Sequence, residues 1–244
     1  MKLSYTIAFS LAIALFACNK TTAPTESPVF SKVASDQSGI KFINTVTNTK
    51  DLNILTYRNY YNGGGVAIGD INNDGLSDVF FTANMGANKL YLNKGAMKFD
   101  DISAKAGIES KENWSTGVAM VDINSDGFLD IYVCNAGYQN NIVPKNQLFI
   151  NNKDLTFTEK AHEYGLDESG YSTHAAFFDY DGDGDLDCYI LKNSFIPVNA
   201  LNFSNQRELR AKDWPVADFL KGGGDVLLRN DRSEEHTSEL QSPC

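Results

Sequence analysis

Three nine-residue segments of the 244-residue chain space their oxygen-bearing side chains alike: DINNDGLSD from Asp70 to Asp78, DINSDGFLD from Asp122 to Asp130, and DYDGDGDLD from Asp179 to Asp187. They align without gaps, and their starts lie 52 and 57 residues apart. Oxygen ligands at alternate positions 1, 3 and 5, with glycine at position 6 for a sharp turn, suit a hard cation that takes about six to eight oxygens. In the first loop these are Asp70, Asn72 and Asp74, with Gly75 at the turn. An EF-hand needs a bidentate Glu at position 12, where this chain has Phe81, Val133 or Ile190. Asp at position 9 (Asp78, Asp130, Asp187) can close the shell instead, and position 7 (Leu76, Phe128, Asp185) offers its main-chain carbonyl. A flexible cage made wholly of protein oxygens favours calcium over magnesium.

The elements that must hold these loops are legible on either side. Each loop follows a short apolar run (GVAIG, GVAMV, HAAFF) and precedes another (VFFTA, IYVCN, CYILK). Apolar runs rich in Val, Ile, Phe and Tyr around a glycine-containing loop read as paired strands. A further strand recurs as NKLYLN (88–93), NQLFIN (146–151) and DVLLRN (225–230). Six residues after Asn93 and Asn151 come Phe99 and Phe157, opening FDDISAKAGI and FTEKAHEYGL; a looser copy, FSKVASDQSGI, begins at Phe30. No Phe follows Asn230 at that spacing. Units of about 50 residues with several short strands have the size of a four-stranded propeller blade. The fold class expected is all-β.

The loops and their flanks resemble FG-GAP repeats, also known as VCBS repeats, the calcium-binding blades of integrin-α-type β-propellers. The stretch from Tyr61 to Leu191 is especially similar to bacterial repeat proteins that end in an ASPIC-type domain, and the resemblance covers most of residues 28 to 231. It implies a partial propeller of three to four four-stranded blades and about three structural Ca2+ ions. It also carries the ligand set onto Asp70, Asn72, Asp74, Leu76 and Asp78; onto Asp122, Asn124, Asp126, Phe128 and Asp130; and onto Asp179, Asp181, Asp183, Asp185 and Asp187. The third loop, without Asn at position 3, is expected to bind most tightly. The function implied is recognition or adhesion toward a protein or glycan ligand. A fragment of a larger propeller enzyme and a pure envelope scaffold are the competing readings.

The ends read differently. Lys2, the apolar stretch Tyr5–Ala17 and Cys18 resemble a bacterial lipoprotein signal with its lipidation box, so residues 1–18 are expected to be a signal peptide that leaves a lipid on Cys18. Several acyl chains there would anchor the chain to a membrane, which places it in the bacterial envelope, with the outer membrane expected. Residues 19–28 are polar with two prolines, a tether, and residues 29–231 form the repeat domain. Residues 232–244 lack the pattern seen before them and resemble the translation of a sequencing-library adapter, which would make the chain a fragment.

Twenty-one basic against thirty-one acidic side chains give a net charge of -10, which argues against nucleic acid as a partner. Eleven of the acidic side chains lie in the three loops. Cys134 and Cys188 are expected to be buried free thiols. Little else suggests chemistry, and no catalytic residue is assigned. His174 stands where Gly65 and Gly117 stand in the sister units, a packing position, and His162 has no companion for a zinc site. The triplets Gly63–Gly65 and Gly222–Gly224 lack the Lys and Ser/Thr of a phosphate loop. Tyr57, Tyr60, Tyr61 and Trp114 could line a sugar or peptide site, though core packing is the commoner fate of such residues. An insertion from Asn193 to Gly222, carrying Arg207, Glu208, Arg210 and Trp214, is a candidate partner surface.

Overall fold

The computed structural model describes residues 29–110, 113–137, 144–193 and 224–231. Cys18 with the signal and tether, most of the insertion, and residues 232–244 lie outside the described residues. The chain divides into two units, residues 1–33 and residues 34–244, and all the elements below belong to the second.

Eleven strands form three antiparallel sheets. The first has the order β1 (Val66–Gly69), β2 (Asp78–Phe81), β3 (Lys89–Asn93), β4 (Phe99–Asp101). The second repeats it with β5 (Trp114–Val121), β6 (Asp130–Ala136), β7 (Gln147–Asn151) and β8 (Phe157–Glu159). The third has β9 (Ser172–Phe178), β10 (Asp187–Lys192) and β11 (Val226–Leu228), and among the described residues no fourth strand. Each acidic loop joins the first two strands of its sheet. Register is equivalent as well: Gly69 pairs with Asp78, Val121 with Asp130, and Phe178 with Asp187, so position 9 of every loop is the first residue of a strand.

The expectation of an all-β chain needs one correction. One-turn helices α1 (Ser35–Ser38) and α2 (Ser103–Ala106) occupy the FSKVASDQSGI and FDDISAKAGI segments. Each stops at a glycine in the left-handed region, Gly39 at φ 80° and Gly107 at φ 75°, where an L side chain is strained. Ala106 and Ile108 enter the core, so the small helix serves to turn apolar side chains inward.

The sheets are held by one another. Every residue of β6 is buried. Ile131 and Val133 pack with Phe80 and Leu90 of the first sheet, while Tyr132 and Cys134 pack with Ala175, Cys188 and Ile190 of the third. Period-two alternation thus supplies both interfaces of the central sheet. Cys134 and Cys188 are free and buried as expected, and burial raises both thiols, Cys188 up to about 12.

The first strands lie side by side, β1 against β5 and β5 against β9. Glycine permits this approach: a Cβ on Gly65 would lie 2.6 Å from the Thr116 carbonyl oxygen, and one on Gly117 would collide with the Thr173 carbonyl. Thr116 ties the same seam, its Oγ1 donating to Ser172 O at 2.7 Å. Gly117→Val is therefore expected to destabilise the domain by about 1–3 kcal/mol through overpacking. Chemical denaturation checks this, and an unchanged midpoint would show that the seam is looser than the contacts imply.

Candidate metal sites

The loops are built by their own carboxylates. At position 1, Asp70 accepts the N–H groups of Asp74 (3.1 Å) and Gly75 (2.7 Å), and Asp122 accepts those of Asp126 (3.0 Å) and Gly127 (2.9 Å). Asp179 accepts Gly182 (2.7 Å) and Gly184 (3.0 Å). At position 5, Asp74, Asp126 and Asp183 each accept the N–H of position 7 at 2.9–3.0 Å. Such turns need positive φ at position 4, held by Asn73, Ser125 and Gly182, and again at position 6, where glycine stands each time.

Position 9 carries the link to the sheet. Asp78 accepts the N–H of Ile71 at 3.0 Å on one oxygen and that of Asn93 at 2.8 Å on the other. Asp130 does the same with Ile123 (3.2 Å) and Asn151 (2.8 Å), and Asp187 with Tyr180 (2.9 Å) and Asn230 (2.8 Å). One buried carboxylate thus fixes the second residue of its loop and the end of the third strand together. The asparagine reciprocates: Asn93 Nδ2 donates to Ser77 O at 2.8 Å, and Asn151 Nδ2 donates to Leu129 O at 3.0 Å and to Ile71 O of the neighbouring sheet at 2.8 Å.

Sequence reasoning treated NKLYLN and NQLFIN as strands and missed the work of their asparagines. Asn88 and Asn146, at the other end of the same motif, accept the N–H of Ala83 and Asn135 at 2.9 Å. They also donate to Ser115 and Ser172 of the next sheet at 3.2 and 3.0 Å. The recurrence of Asn at both ends of the strand was the available signal.

The loops differ in electrostatics. Asn72 and Asn124 donate to the position-5 carboxylates Asp74 (3.0 Å) and Asp126 (3.2 Å), and Lys153 lies 3.4 Å from Asp126. In the third loop Asp181 replaces the amide. Its carboxyl is raised by desolvation and by repulsion from Asp183 and Asp187, with Arg229 at 3.8 Å as a partial counterweight. Among the described residues Asp179, Asp181 and Asp187 are the acidic group whose ligand atoms all lie within 4.8 Å of one another. This all-oxygen cluster could hold a metal ion. Asp183 and Asp185 are not part of it, and the acidic side chains of the first two loops do not form such a group, since Asn occupies the place of Asp181.

The remaining candidates are placed elsewhere. Tyr57, Tyr60 and Trp114 are buried in an aromatic cluster with Tyr171, Tyr57 meeting Trp114 edge-on at 5.5 Å. Tyr61 is exposed and bonds Asn48. A cleft of about 260 Å3 beside the first strands is bordered by Tyr57, Asn59, Asn62, Trp114 and His174. His162 is exposed and lies 3.1 Å from Asp167.

Residues 70–133 and 135–190 match the FG-GAP-like repeat family. The first matched FG-GAP-like repeat begins at its acidic loop, one strand after the sheet begins, and so runs from β2 through β5 into β6, across two sheets. Cartilage acidic protein 1 of Xenopus tropicalis is 42% identical over 74 residues, which is 30% of this chain and 11% of that protein. The human and mouse proteins of the same name are 39% identical over 72 residues, again 30% of this chain and 11% of theirs.

Burial raises the Asp130 carboxyl to about 6, against the opposing N–H bonds from Asn151 and Ile123 and with a further push from Asp126 and Asp122. Because the folded value lies above that of the unfolded chain, the contribution of Asp130 to stability is full below about pH 4 and is lost as pH rises through about 6. In calcium-free protein, carboxyl-carbon NMR should place its midpoint near pH 6. A midpoint at the ordinary aspartate value would contradict the burial argument.

Proposed function

We propose that this chain is a calcium-binding repeat module, held at the bacterial envelope by a lipid on Cys18, that serves recognition or adhesion toward a protein or glycan, with its ions structural. The observation that carries the reading is the third loop, where carboxylates of Asp179, Asp181 and Asp187 converge on one point with oxygen donors only. Such a donor set suits a hard cation, and calcium best. The first two loops repeat the same backbone path, which supports an ion in each and about three in all, held by the fifteen residues at positions 1, 3, 5, 7 and 9. At position 9 the same carboxylate bonds main-chain N–H groups of loop and third strand, so a cation there staples elements together and is given no catalytic step.

The recognition half of the reading rests on the cleft lined by Asn59, Asn62, Thr116, Thr173 and His174, whose floor is the buried pair Tyr57 and Trp114. The acidity in the relatives' name has a local counterpart here, since the acidic excess of this chain sits in its loops.

Calorimetry and thermal melting test the reading together. Calcium at about a hundred times its dissociation constant should stabilise the folded state by about 2.7 kcal/mol per ion, a rise of about 5–10 °C in Tm for a domain of this size. Asp181→Ala should remove one ion from the measured stoichiometry and its share of the rise. No heat of calcium uptake at millimolar concentration would overturn the proposal.

A further inference from the structure

The first two loops are a matched pair. Each offers a hard cation Asp, Asn and Asp at positions 1, 3 and 5, a main-chain carbonyl at position 7 and Asp at position 9, oxygen donors throughout. Their internal bonds agree as well. Position 1 accepts the N–H groups of positions 5 and 6, and position 5 accepts that of position 7. The position-3 amide donates to Oδ2 of position 5 at 3.0 Å in the first loop and 3.2 Å in the second. An ion in either loop would therefore meet the same ligand types on the same backbone path. What separates the two in charge is a neighbour.

That neighbour is Lys153. It stands two residues after Asn151, where the sister unit has Gly95 two residues after Asn93. The two positions share one turn: Gly95 donates its N–H to Asn93 Oδ1 at 2.9 Å with φ 79°, and Lys153 donates to Asn151 Oδ1 at 2.8 Å with φ 67°. Glycine suits that left-handed backbone, and a lysine is strained in it. The turn itself gains nothing from the exchange.

The lysine acts on the second loop instead. Its Nζ lies 3.4 Å from Asp126 Oδ2 and 5.1 Å from the centre of the Phe128 ring, at positions 5 and 7 of that loop. Both Asp126 oxygens are thus engaged without an ion, Oδ1 by the Phe128 N–H at 3.0 Å and Oδ2 by Asn124 and Lys153. Asp74, the counterpart of Asp126, has no basic partner among the described residues.

We propose that Lys153 is a tethered competitor for the cation of the second loop, an inference that rests on the calcium-binding reading above. Its ammonium neutralises the Asp126 carboxylate in the ion-free protein, and the face of the Phe128 ring keeps it over the loop. A divalent cation must push it aside or bind beside it, and either costs affinity. A half-exposed ion pair is worth little in itself, but the double charge of calcium doubles the Coulomb repulsion, so the second loop should bind about three- to tenfold more weakly than the first.

Calcium titration of the full chain followed by NMR tests this, with the amides of Gly75, Gly127 and Gly184 reporting one loop each. In the wild type Gly75 should reach its midpoint at about three- to tenfold lower free calcium than Gly127. Lys153→Met removes the charge and keeps the stem against Phe128, and Lys153→Gly installs the sister residue on a backbone that favours it. Each should bring the Gly127 midpoint to within about twofold of that of Gly75, which itself stays in place, whereas Lys153→Arg should preserve the gap. Two results would overturn the inference and leave calcium binding intact: Gly75 and Gly127 saturating together in the wild type, or a gap that neither Lys153→Met nor Lys153→Gly closes. If no glycine amide shifts at millimolar calcium in the wild type or in either variant, the calcium reading falls and this inference with it.

Discussion

The domain depends on a buried carboxylate at the first residue of each second strand. Asp78, Asp130 and Asp187 are almost wholly inaccessible, and taking a charge out of water is costly unless its oxygens are satisfied. Each is satisfied by two main-chain N–H groups that belong to different elements. Asparagine could not replace it without loss, because one end of the amide would set an N–H against an N–H. The aspartate is therefore demanded by the backbone before any ion is considered. Burial still pushes Asp78 and Asp130 toward the neutral form, with their neighbouring loop aspartates adding to the push. A cation at the loop would favour the charged form, so the clamp and an ion would reinforce each other.

What the clamp organises is a sheet that cannot stand alone. β6 spends both faces on its neighbours, and the amides of Asn88 and Asn146 reach across to serines of the next sheet. Stability in such an array is a sum of unit and interface terms. The interfaces here are unusually close along the first strands, where Gly65 and Gly117 let backbone meet backbone. His174 takes the third such position, on a strand with no following sheet among the described residues, and is exposed. A bulkier residue at that place is consistent with an open seam.

Much of this was readable in advance because it rests on local pattern. Loop spacing and flanking apolar runs placed nine of the eleven strands in their sheets; β4 and β8 were marked only by the recurring Phe99 and Phe157 that open them. The helices α1 and α2 were not legible, since a single turn has no periodicity to reveal it, only the closing glycines. The terminal asparagines were visible as letters but not as bonds, because most of their partners lie 15 to 80 residues away. The same holds for Tyr57, Tyr60 and Trp114, whose burial depends on three elements meeting and not on any local signal.

The loops are alike in path but not in charge, and the difference orders them. In the first two, an amide already bonds the position-5 carboxylate, and Lys153 adds a positive charge over the second. In the third, Asp181 brings a fifth carboxylate into the loop, and its repulsion from Asp183 and Asp187 is answered in part by the main-chain N–H of Asp183 and by Arg229 at the margin. Repulsion of that kind would be relieved by a divalent cation bound in the loop. Outside the three loops, residues 19–231 carry 19 basic and 17 acidic side chains, so the acidity of the chain is a property of these loops and not of its surface. A cation would therefore meet its most acidic set of side chains in the third loop.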